Sequence, residues 1–238
     1  MKRARIAVVT GATSGIGAAV ARALAVAGTR VYLVGRDEAR LRAARRALGA
    51  RRLAGVARVD LGSLAELRTL LRGLRAQLPR IDLLVHCAGA YQWTQPGRLD
   101  AQLFAELFDV NVRAPYLLTQ GLMAPLRRAR GQVVFLNSSV VRHPGQGLAL
   151  YKATQHALQG FTDSLRQDLN RHGVRVSTLY PGRTATPRMR RIYAREGRRY
   201  RPQALLSAAD VAALVLQLSR LPPRLEVTDV HLRSVTRY

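Results

Sequence analysis

The sequence predicts a single α/β domain built on a doubly wound sheet of about seven parallel strands, with helices on both faces. Two observations indicate this fold class. Short β-branched runs alternate with longer stretches of helical periodicity, which is typical of a parallel sheet covered on both sides. The chain has 238 residues, enough to bury one sizeable core, and no linker-like stretch divides it. We therefore expect one domain over residues 1–238, with right-handed crossovers between its strands.

The strands are predicted from the short apolar runs. Basic residues precede the first run, but Gly11 ends it before it reaches the length of a signal peptide, so we interpret it as a buried strand. In chain order the predicted strands are Arg5 to Thr10, Arg30 to Val34, Leu53 to Val59, Ile81 to His86, Gln132 to Asn137, Val174 to Tyr180 and Leu225 to Val230.

The stretches between these runs are predicted to be helical. In chain order they are Gly15 to Ala27, Glu38 to Leu48, Leu64 to Gln77, Ala101 to Ala129, Ala149 to Arg171 and Ala208 to Arg220. Asp37 and Ser63 are expected to cap helix amino termini, because their side chains accept bonds from unpaired N–H groups. Gly28 and Gly173 suit helix exits that need a positive φ.

Charge is the unusual feature of the composition. There are 39 Lys and Arg residues against 14 Asp and Glu, which gives a net charge of +25. Such a charge is compatible with nucleic acid, an acidic membrane surface or an anionic substrate as partner. Lys2 and Lys152 are the only lysines, and arginines are dense from Arg188 to Arg201. We favour a solvated arginine-rich surface and treat nucleic-acid binding as a minor alternative, since no nucleic-acid-binding motif is visible.

Cysteine usage and hydropathy indicate the compartment. The single cysteine, Cys87, excludes an internal disulfide, and no His and Cys cluster has metal-ligand spacing, so no metal site is expected. No apolar run approaches the roughly 20 residues that span a bilayer. We expect a cytoplasmic protein without a membrane partner.

A glycine-rich turn joins the first predicted strand to the first helix. Its sequence is Thr-Gly-Ala-Thr-Ser-Gly-Ile-Gly over residues 10–17. Gly11 permits the tight turn, Gly15 leaves room for a pyrophosphate, and Gly17 allows close packing of helix on strand. The helix amino terminus offers N–H groups and a positive dipole end to phosphates. This strand-turn-helix context predicts a nucleotide site.

The same turn resembles the fingerprint of the short-chain dehydrogenase/reductase family, whose members have Rossmann-type folds. The resemblance implies that the dinucleotide pyrophosphate is bound by Gly11, Thr13, Ser14, Gly15, Ile16 and Gly17. Further family positions match in order: Asp60 is similar to the adenine-contacting Asp, and Asn111 to the family's helix Asn. Ala88 and Gly89 resemble the end of Asn-Asn-Ala-Gly, in which His86 and Cys87 replace both asparagines. The segment that meets the nicotinamide carboxamide is matched by Pro181, Gly182, Thr184 and Thr186.

The end of the second strand predicts the choice of cofactor. An NAD enzyme needs a carboxylate there to accept bonds from the ribose hydroxyls, but Gly35 occupies the position and Arg36 follows it. A guanidinium without a neighbouring acid suits a 2′-phosphate. We expect NADP(H); the alternative is that Arg36 is one more surface arginine.

Carbonyl reduction by nicotinamide needs an acid to protonate the oxygen and a second donor to orient it. The family uses Tyr and Ser for these roles. Tyr151 fits the Tyr position at the start of a long helix. Ser138 lies thirteen residues before it, the family's usual spacing, and Ser139 is the alternative donor.

The family's Tyr-x-x-x-Lys pattern is broken, because Gln155 stands where the lysine belongs. Residues four apart share a helix face, whereas Lys152 is rotated by about 100 degrees from Tyr151 and does not substitute. Glutamine can bond the ribose hydroxyls but carries no positive charge to stabilise an anion at the reacting oxygen. Such a defect in a shared transition state lowers both directions of the reaction.

Three functions remain open. The first is a slow oxidoreductase that interconverts a ketone or aldehyde and an alcohol, and the second is an oxidoreductase whose missing positive charge is supplied by another group. The third is a cofactor-binding scaffold with lost or altered chemistry that acts as a sensor or interaction module. We favour an enzyme, since Asn111, Ser138 and Tyr151 are all present.

By resemblance, the small-molecule substrate is enclosed by residues Tyr91 to Arg98 and by a basic lid from Arg183 to Gln203. The seven arginines from Arg188 to Arg201 suggest a carboxylate or phosphate on the substrate as a weaker hypothesis. The resemblance also implies a homodimer or homotetramer formed through the two long helices.

Overall fold

Seven parallel strands form one sheet in the computed structural model, which describes residues 4–95, 97, 100–143 and 145–236. The strands of this sheet and of a separate two-stranded ribbon are β1 (Ile6–Thr10), β2 (Arg30–Gly35), β3 (Leu53–Arg58), β4 (Leu83–His86), β5 (Gln132–Leu136), β6 (Arg175–Pro181), β7 (Thr184–Ala185), β8 (Leu206–Ser207) and β9 (Asp229–Leu232). The main sheet has the order β3-β2-β1-β4-β5-β6-β9. Strands β2 and β3 are added on one side of β1 and the later strands of the main sheet on its other side, beginning with β4. This reversal of strand order confirms the predicted doubly wound fold.

The helices are α1 (Gly15–Val26), α2 (Glu38–Leu48), α3 (Leu64–Gln77), α4 (Ala101–Phe108), α5 (Ala114–Gly121), α6 (Met123–Ala129), α7 (Ala149–Asn170), α8 (Pro187–Arg195) and α9 (Ala208–Arg220). The predicted caps are confirmed: Asp37 accepts from the Arg40 amide at 2.9 Å and Ser63 from the Glu66 amide at 3.3 Å. Gly28 and Gly173 have φ of 88° and 70°.

The structure departs most from the predicted elements at the helix over residues 101–129, at the last strand and after β6. The single helix predicted over Ala101 to Ala129 is three helices, with a π-helical segment at Asp109–Arg113 and a break at Leu122. Pro115 has no N–H and cannot donate the next helical hydrogen bond. The apolar periodicity gave no sign of this interruption.

The last strand of the main sheet begins at Asp229 rather than Leu225, because the Glu226 carboxylate, not a main-chain carbonyl, bonds the Val176 amide. Helix α8 and the β7–β8 ribbon were missed because arginine-rich composition conceals their apolar positions.

The core consists of two apolar layers, one on each face of the sheet. Alternate residues of β1 separate between them: Val8 packs in the layer that contains Leu67, Leu118 and Leu165 of α3, α5 and α7, whereas Val9 packs in the layer of α1 and α9. The carboxyl ends of β1, β4, β5 and β6 therefore open at one rim of the sheet. In the described ranges, no helix has both the length and the hydropathy needed to cross a bilayer.

Candidate active site

The turn between β1 and α1 presents an uncapped helix end. Ser14 occupies the N-cap position, yet among the described residues its side chain accepts no capping hydrogen bond. A Cβ at Gly17 would lie 2.7 Å from the Gly11 carbonyl carbon, and one at Gly15, where φ is +52°, would lie 3.1 Å from the Thr186 methyl carbon. Because Gly17 has no side chain, the amino terminus of α1 packs close to β1. Because Gly15 has none, the N–H groups at this terminus stay open to an anion.

The loop after β4 is fixed to the end of β1. The Thr10 hydroxyl accepts from the Cys87 and Ala88 amides, both at 3.2 Å. A Cβ at Gly11 would lie 2.8 Å from the Ala88 nitrogen, so Gly11 is required by this contact as well as by its φ of +65°. Thr10 and Gly11 thus set the position of Ala88 and Gly89 at the rim.

His86, at a position where the resemblance expects asparagine, is a buried structural residue. Its Nε2 pairs with the Thr119 hydroxyl at 2.9 Å, and its ring stacks on Phe135 with centroids 4.8 Å apart. Burial lowers the pKa of His86 to about 3, so the ring is neutral at physiological pH.

This burial predicts a loss of stability in mild acid. The unfolded chain protonates His86 near its ordinary pKa of about 6.5, whereas the folded chain does not, so the contribution is complete above neutral pH and is lost as pH falls toward 3. Between pH 8 and pH 5.5 the free energy of unfolding should decrease by about 1.4 kcal/mol more in the wild type than in His86→Asn, measured by urea denaturation. Equal pH dependence of the two proteins would contradict this assignment.

Asn111 connects the loop after β4 to helix α7. Its side chain accepts from the Ala90 amide at 2.7 Å and donates to the Ala90 carbonyl at 2.9 Å. The same amide donates to the Thr154 hydroxyl at 3.0 Å, and Thr154 donates to the Tyr151 carbonyl at 2.7 Å. Asn111 is 3% exposed, so these bonds are strong positional restraints on the site.

Tyr151 lies in the first turn of α7, half-buried, against the ring of Tyr91. The two rings meet edge to face, with centroids 5.1 Å apart and planes at 71°. Tyr91 belongs to the loop that Asn111 restrains through Ala90. The orientation of the Tyr151 ring is therefore coupled to the loop after β4.

Ser138 lies two residues after β5 and begins the turn toward α7. Its hydroxyl accepts from the Val140 amide at 3.3 Å. Asn137 fixes the backbone on both sides, because its Oδ1 accepts from the Ser138 amide at 2.7 Å and its Nδ2 donates to the Gln155 carbonyl at 2.9 Å. Ser139, the alternative donor, is the first residue of the 3-10 turn that follows.

Gln155 and Lys152 point in different directions from α7. Gln155 is 4% exposed and donates from Nε2 to the Thr154 hydroxyl at 3.3 Å. The Lys152 ammonium reaches away to the His143 carbonyl at 3.4 Å. Gln155 thus occupies the buried side of α7, and the Lys152 ammonium is directed elsewhere.

The carboxyl ends of β2 and β3 form a basic corner of the rim. A Cβ at Gly35 would lie 2.7 Å from the Thr13 methyl carbon, so any side chain at this position would require Thr13 to shift. Arg36 follows and is exposed, and the register pairs Gly35 with Arg58 of β3. In the described part of the chain neither guanidinium makes an ion pair. Asp60 accepts from the Gly62 amide at 2.9 Å.

The segment after β6 lies over the rim. Gly182 donates to the Leu232 carbonyl at 2.8 Å, Thr184 donates to the Gly182 carbonyl at 2.9 Å, and Thr186 caps α8 by accepting from Met189 at 3.2 Å. Arg188 donates to the Gly89 carbonyl. The opposing wall begins at Tyr91; residues 96 and 98 of that predicted loop lie outside the described residues.

Sequence reasoning missed the residues that position the site, above all Asn137 and Thr154. Each is a polar residue on a buried face, at the end of β5 and inside α7. Such a residue needs a hydrogen-bond partner, and that requirement was the available signal. Its partner became visible only when β5 and α7 were placed side by side.

Comparison with known proteins identifies relatives over nearly the whole chain. Residues 5–197 match a family model described as short chain dehydrogenase. An uncharacterized oxidoreductase of Staphylococcus epidermidis is 30% identical over 232 residues, 97% of each chain. L-fucose dehydrogenase of Mus musculus is 36% identical over 186 residues, 77% of this chain and 66% of that protein. The closed form of serine dehydrogenase complexed with NADP+ superposes with a TM-score of 0.87 at 26% identity, covering 98% of this chain and 96% of the other.

Proposed function

Since this chain belongs to the short-chain dehydrogenase family of oxidoreductases, we propose that it is an NADP(H)-dependent enzyme that interconverts a ketone or aldehyde and an alcohol by hydride transfer. The observation that supports this most is the uncapped amino terminus of α1. Beside it lie three glycines, Gly11, Gly15 and Gly17, at which a Cβ would clash with neighbouring atoms or occupy the space for the phosphates. A scaffold with lost chemistry is not favoured, because the relatives are oxidoreductases.

The residues present fit a dinucleotide. The pyrophosphate would be held by the amides and side chains of Gly11, Thr13, Ser14, Gly15, Ile16 and Gly17. The adenosine end would meet Arg36, Asp60, Ala88 and Gly89, and the nicotinamide end would meet Pro181, Gly182, Thr184 and Thr186. Gly15 lies against Thr186, so the groups assigned to the pyrophosphate and to the nicotinamide end are neighbours.

When bound, the nicotinamide supplies or removes the hydride. The Tyr151 hydroxyl donates a proton to the carbonyl oxygen in reduction and accepts it from the alcohol in oxidation. Ser138 donates a second hydrogen bond that orients this oxygen. Asn111 is a positioning residue, since its bonds fix Ala90 and Thr154 on either side of Tyr151.

Gln155 makes this a slow enzyme for its family. The buried amide can bond ribose hydroxyls, but it supplies no charge to the anion that forms at the Tyr151 and substrate oxygens. Lys152 does not replace it, because its ammonium is directed to the His143 carbonyl. The loss applies to reduction and oxidation alike, since both share one transition state.

Two arginines support the preference for NADP(H). Side chains of register partners in parallel strands project from the same face of a sheet. Arg58, the partner of Gly35, therefore projects from the face on which Thr13 lies. Arg36 follows Gly35 at the rim. Guanidinium groups bind phosphate strongly, and no carboxylate occupies position 35 to repel it.

Arg36→Ala is therefore expected to weaken NADPH binding by about tenfold and NADH binding by less than about twofold, with Arg58→Ala acting in the same direction. Calorimetric titration of each variant with both cofactors measures the ratio. Arg51→Ala is the matched control, because this exposed arginine lies at the opposite end of β3. Loss of NADH and NADPH affinity in equal proportion would contradict the assignment.

We assign the basic segment from Arg183 to Gln203 as a substrate lid.

We assign the helical face of α4, α5 and α7 as a contact between copies of the chain. A cleft of about 240 Å³ on this helical face is lined by Phe108, Val112, Tyr116 and Phe161, and Phe104 is 47% exposed beside it. Exposed apolar surface of this kind is typical of a homodimer or homotetramer.

NADPH consumption tests the proposed function directly. The purified protein is mixed with NADPH and a panel of ketones and aldehydes, and absorbance of the reduced nicotinamide is followed. We expect slow, Tyr151-dependent consumption with at least one carbonyl class. Tight NADPH binding without turnover on the whole panel would overturn the redox function and leave the cofactor site standing.

A further inference from the structure

We propose that the substrate carries a carboxylate and that Arg195, which lies over the Trp93 ring, binds it. This inference rests on the proposed function, because it assigns the substrate class of the same site.

The lid has a large excess of positive charge. Between residues 183 and 203 the sequence contains eight arginines and a single acid, Glu196. Glu196 binds Arg183 through two parallel hydrogen bonds of 2.7 and 2.8 Å and lies 3.5 Å from Arg198. The only carboxylate of the lid is therefore committed, and it does not neutralise Arg195.

Arg195 is fixed by an aromatic ring instead of an acid. Its guanidinium carbon lies 4.5 Å from the centre of the Trp93 ring. In the described part of the chain it forms no ion pair. A guanidinium that lies over an aromatic ring keeps the N–H donors that are not directed at the ring, and such donors can bind a carboxylate with two bonds.

Trp93 packs against Gly147, and this contact sets the place at which Arg195 meets the indole. The indole fills the space where a side chain at position 147 would lie, and the Thr94 amide donates to the Gly147 carbonyl at 2.9 Å. Gly147 lies two residues before the start of α7, the helix that carries Tyr151. Trp93 therefore packs against the turn that leads into the helix of Tyr151.

The Arg195 charge acts on Tyr91, the neighbour of the Tyr151 ring. Tyr91 contacts the Tyr151 ring, and burial raises the pKa of Tyr91 while the charges of Glu196, Arg195 and Arg183 also act on it. Glu196 neutralises Arg183, whereas Arg195 has no ion pair among the described residues and is available to a substrate anion. A carbonyl compound with a carboxylate would thus have its oxygen at Tyr151 and its charge at Arg195.

Trp93 provides a direct readout, since it is the only tryptophan of the chain. The protein is saturated with NADP+, and its tryptophan emission is recorded while sodium butyrate replaces sodium chloride at constant ionic strength. Butyramide serves as the neutral analogue of the same shape. We expect a saturable change with butyrate, no change with butyramide, and at least about tenfold weaker butyrate binding in Arg195→Gln.

Arg199→Gln is the matched control, because it removes the same charge from the same segment at an exposed residue. It should keep the butyrate response. Absence of a butyrate response, an equal response to butyramide, or a response unaltered in Arg195→Gln would overturn the inference. Failure to bind NADP+ would instead contradict the proposed function, and the emission titration of the cofactor-free protein would still decide the role of Arg195.

Turnover supplies a second readout. We expect Arg195→Gln to raise KM for levulinate at least about tenfold with little change in kcat, and to leave the kinetics of methyl levulinate unchanged. Equal effects on acid and ester would show that Arg195 shapes the lid and does not bind the carboxylate.

Discussion

Tyr151→Phe should lower kcat/KM for carbonyl reduction by about 10²- to 10⁴-fold, the usual contribution of a positioned general acid. The substitution removes only the hydroxyl. The ring contact with Tyr91 and the helix that begins at Ala149 both remain, so affinity for NADPH should change by less than about twofold. Single-turnover kinetics and calorimetry on the same preparation separate the two effects.

Tyr116→Phe is the control for this variant, because Tyr116 is 44% exposed on α5 and packs against Phe161 outside the site. It should retain full turnover. If Tyr151→Phe reduced the carbonyl as fast as the wild type, a proton donor other than the phenol would have to be sought. Ser138→Ala should show a smaller loss, since its hydroxyl orients the oxygen without giving up its proton.

Gln155→Lys should raise kcat/KM by about 10²-fold. A charge about 6 Å from the forming anion stabilises it by roughly 3 kcal/mol at an effective dielectric constant of about 20, and each 1.36 kcal/mol is tenfold in rate. The four-residue spacing from Tyr151 places the new ammonium on the correct face of α7. The gain should appear in reduction and in oxidation, because the transition state is common to both.

Gln155→Met is the matched control, because it has similar length and no charge. It should lose the bond to Thr154 and fail to raise turnover. Since position 155 is 4% exposed, the melting temperature of each variant is measured with and without NADP+ to separate folding from chemistry. A folded, cofactor-binding Gln155→Lys protein with wild-type turnover would show that the missing charge does not limit the reaction.

The sequence predicted the architecture well where a local pattern determines it. The alternation of apolar runs and helical stretches gave the seven strands, and Asp37 and Ser63 capped their helices as expected. It failed where the outcome depends on single hydrogen-bonding groups. Pro115 accompanies a π-helical segment within the predicted helix over residues 101–129, and the Glu226 carboxylate delays the last strand.

The candidate site was predictable at its chemical residues and not at the residues that support them. Motif spacing indicated Asn111, Ser138, Tyr151 and Gln155, and these roles remain proposals. The contacts of Asn137 with Gln155 and of Trp93 with Arg195 join segments far apart in sequence. Neither is encoded in a local spacing, because each arises from the packing of α7 and α8 against loops of other strands.

Calorimetric titration of the wild-type protein with NADPH and NADH tests the account most directly. The uncapped end of α1 and the arginines beside Gly35 predict one NADPH bound per chain, more tightly than NADH. If well-folded protein bound neither dinucleotide at millimolar concentration, or bound NADH as tightly as NADPH, the cofactor site described for this rim would be contradicted.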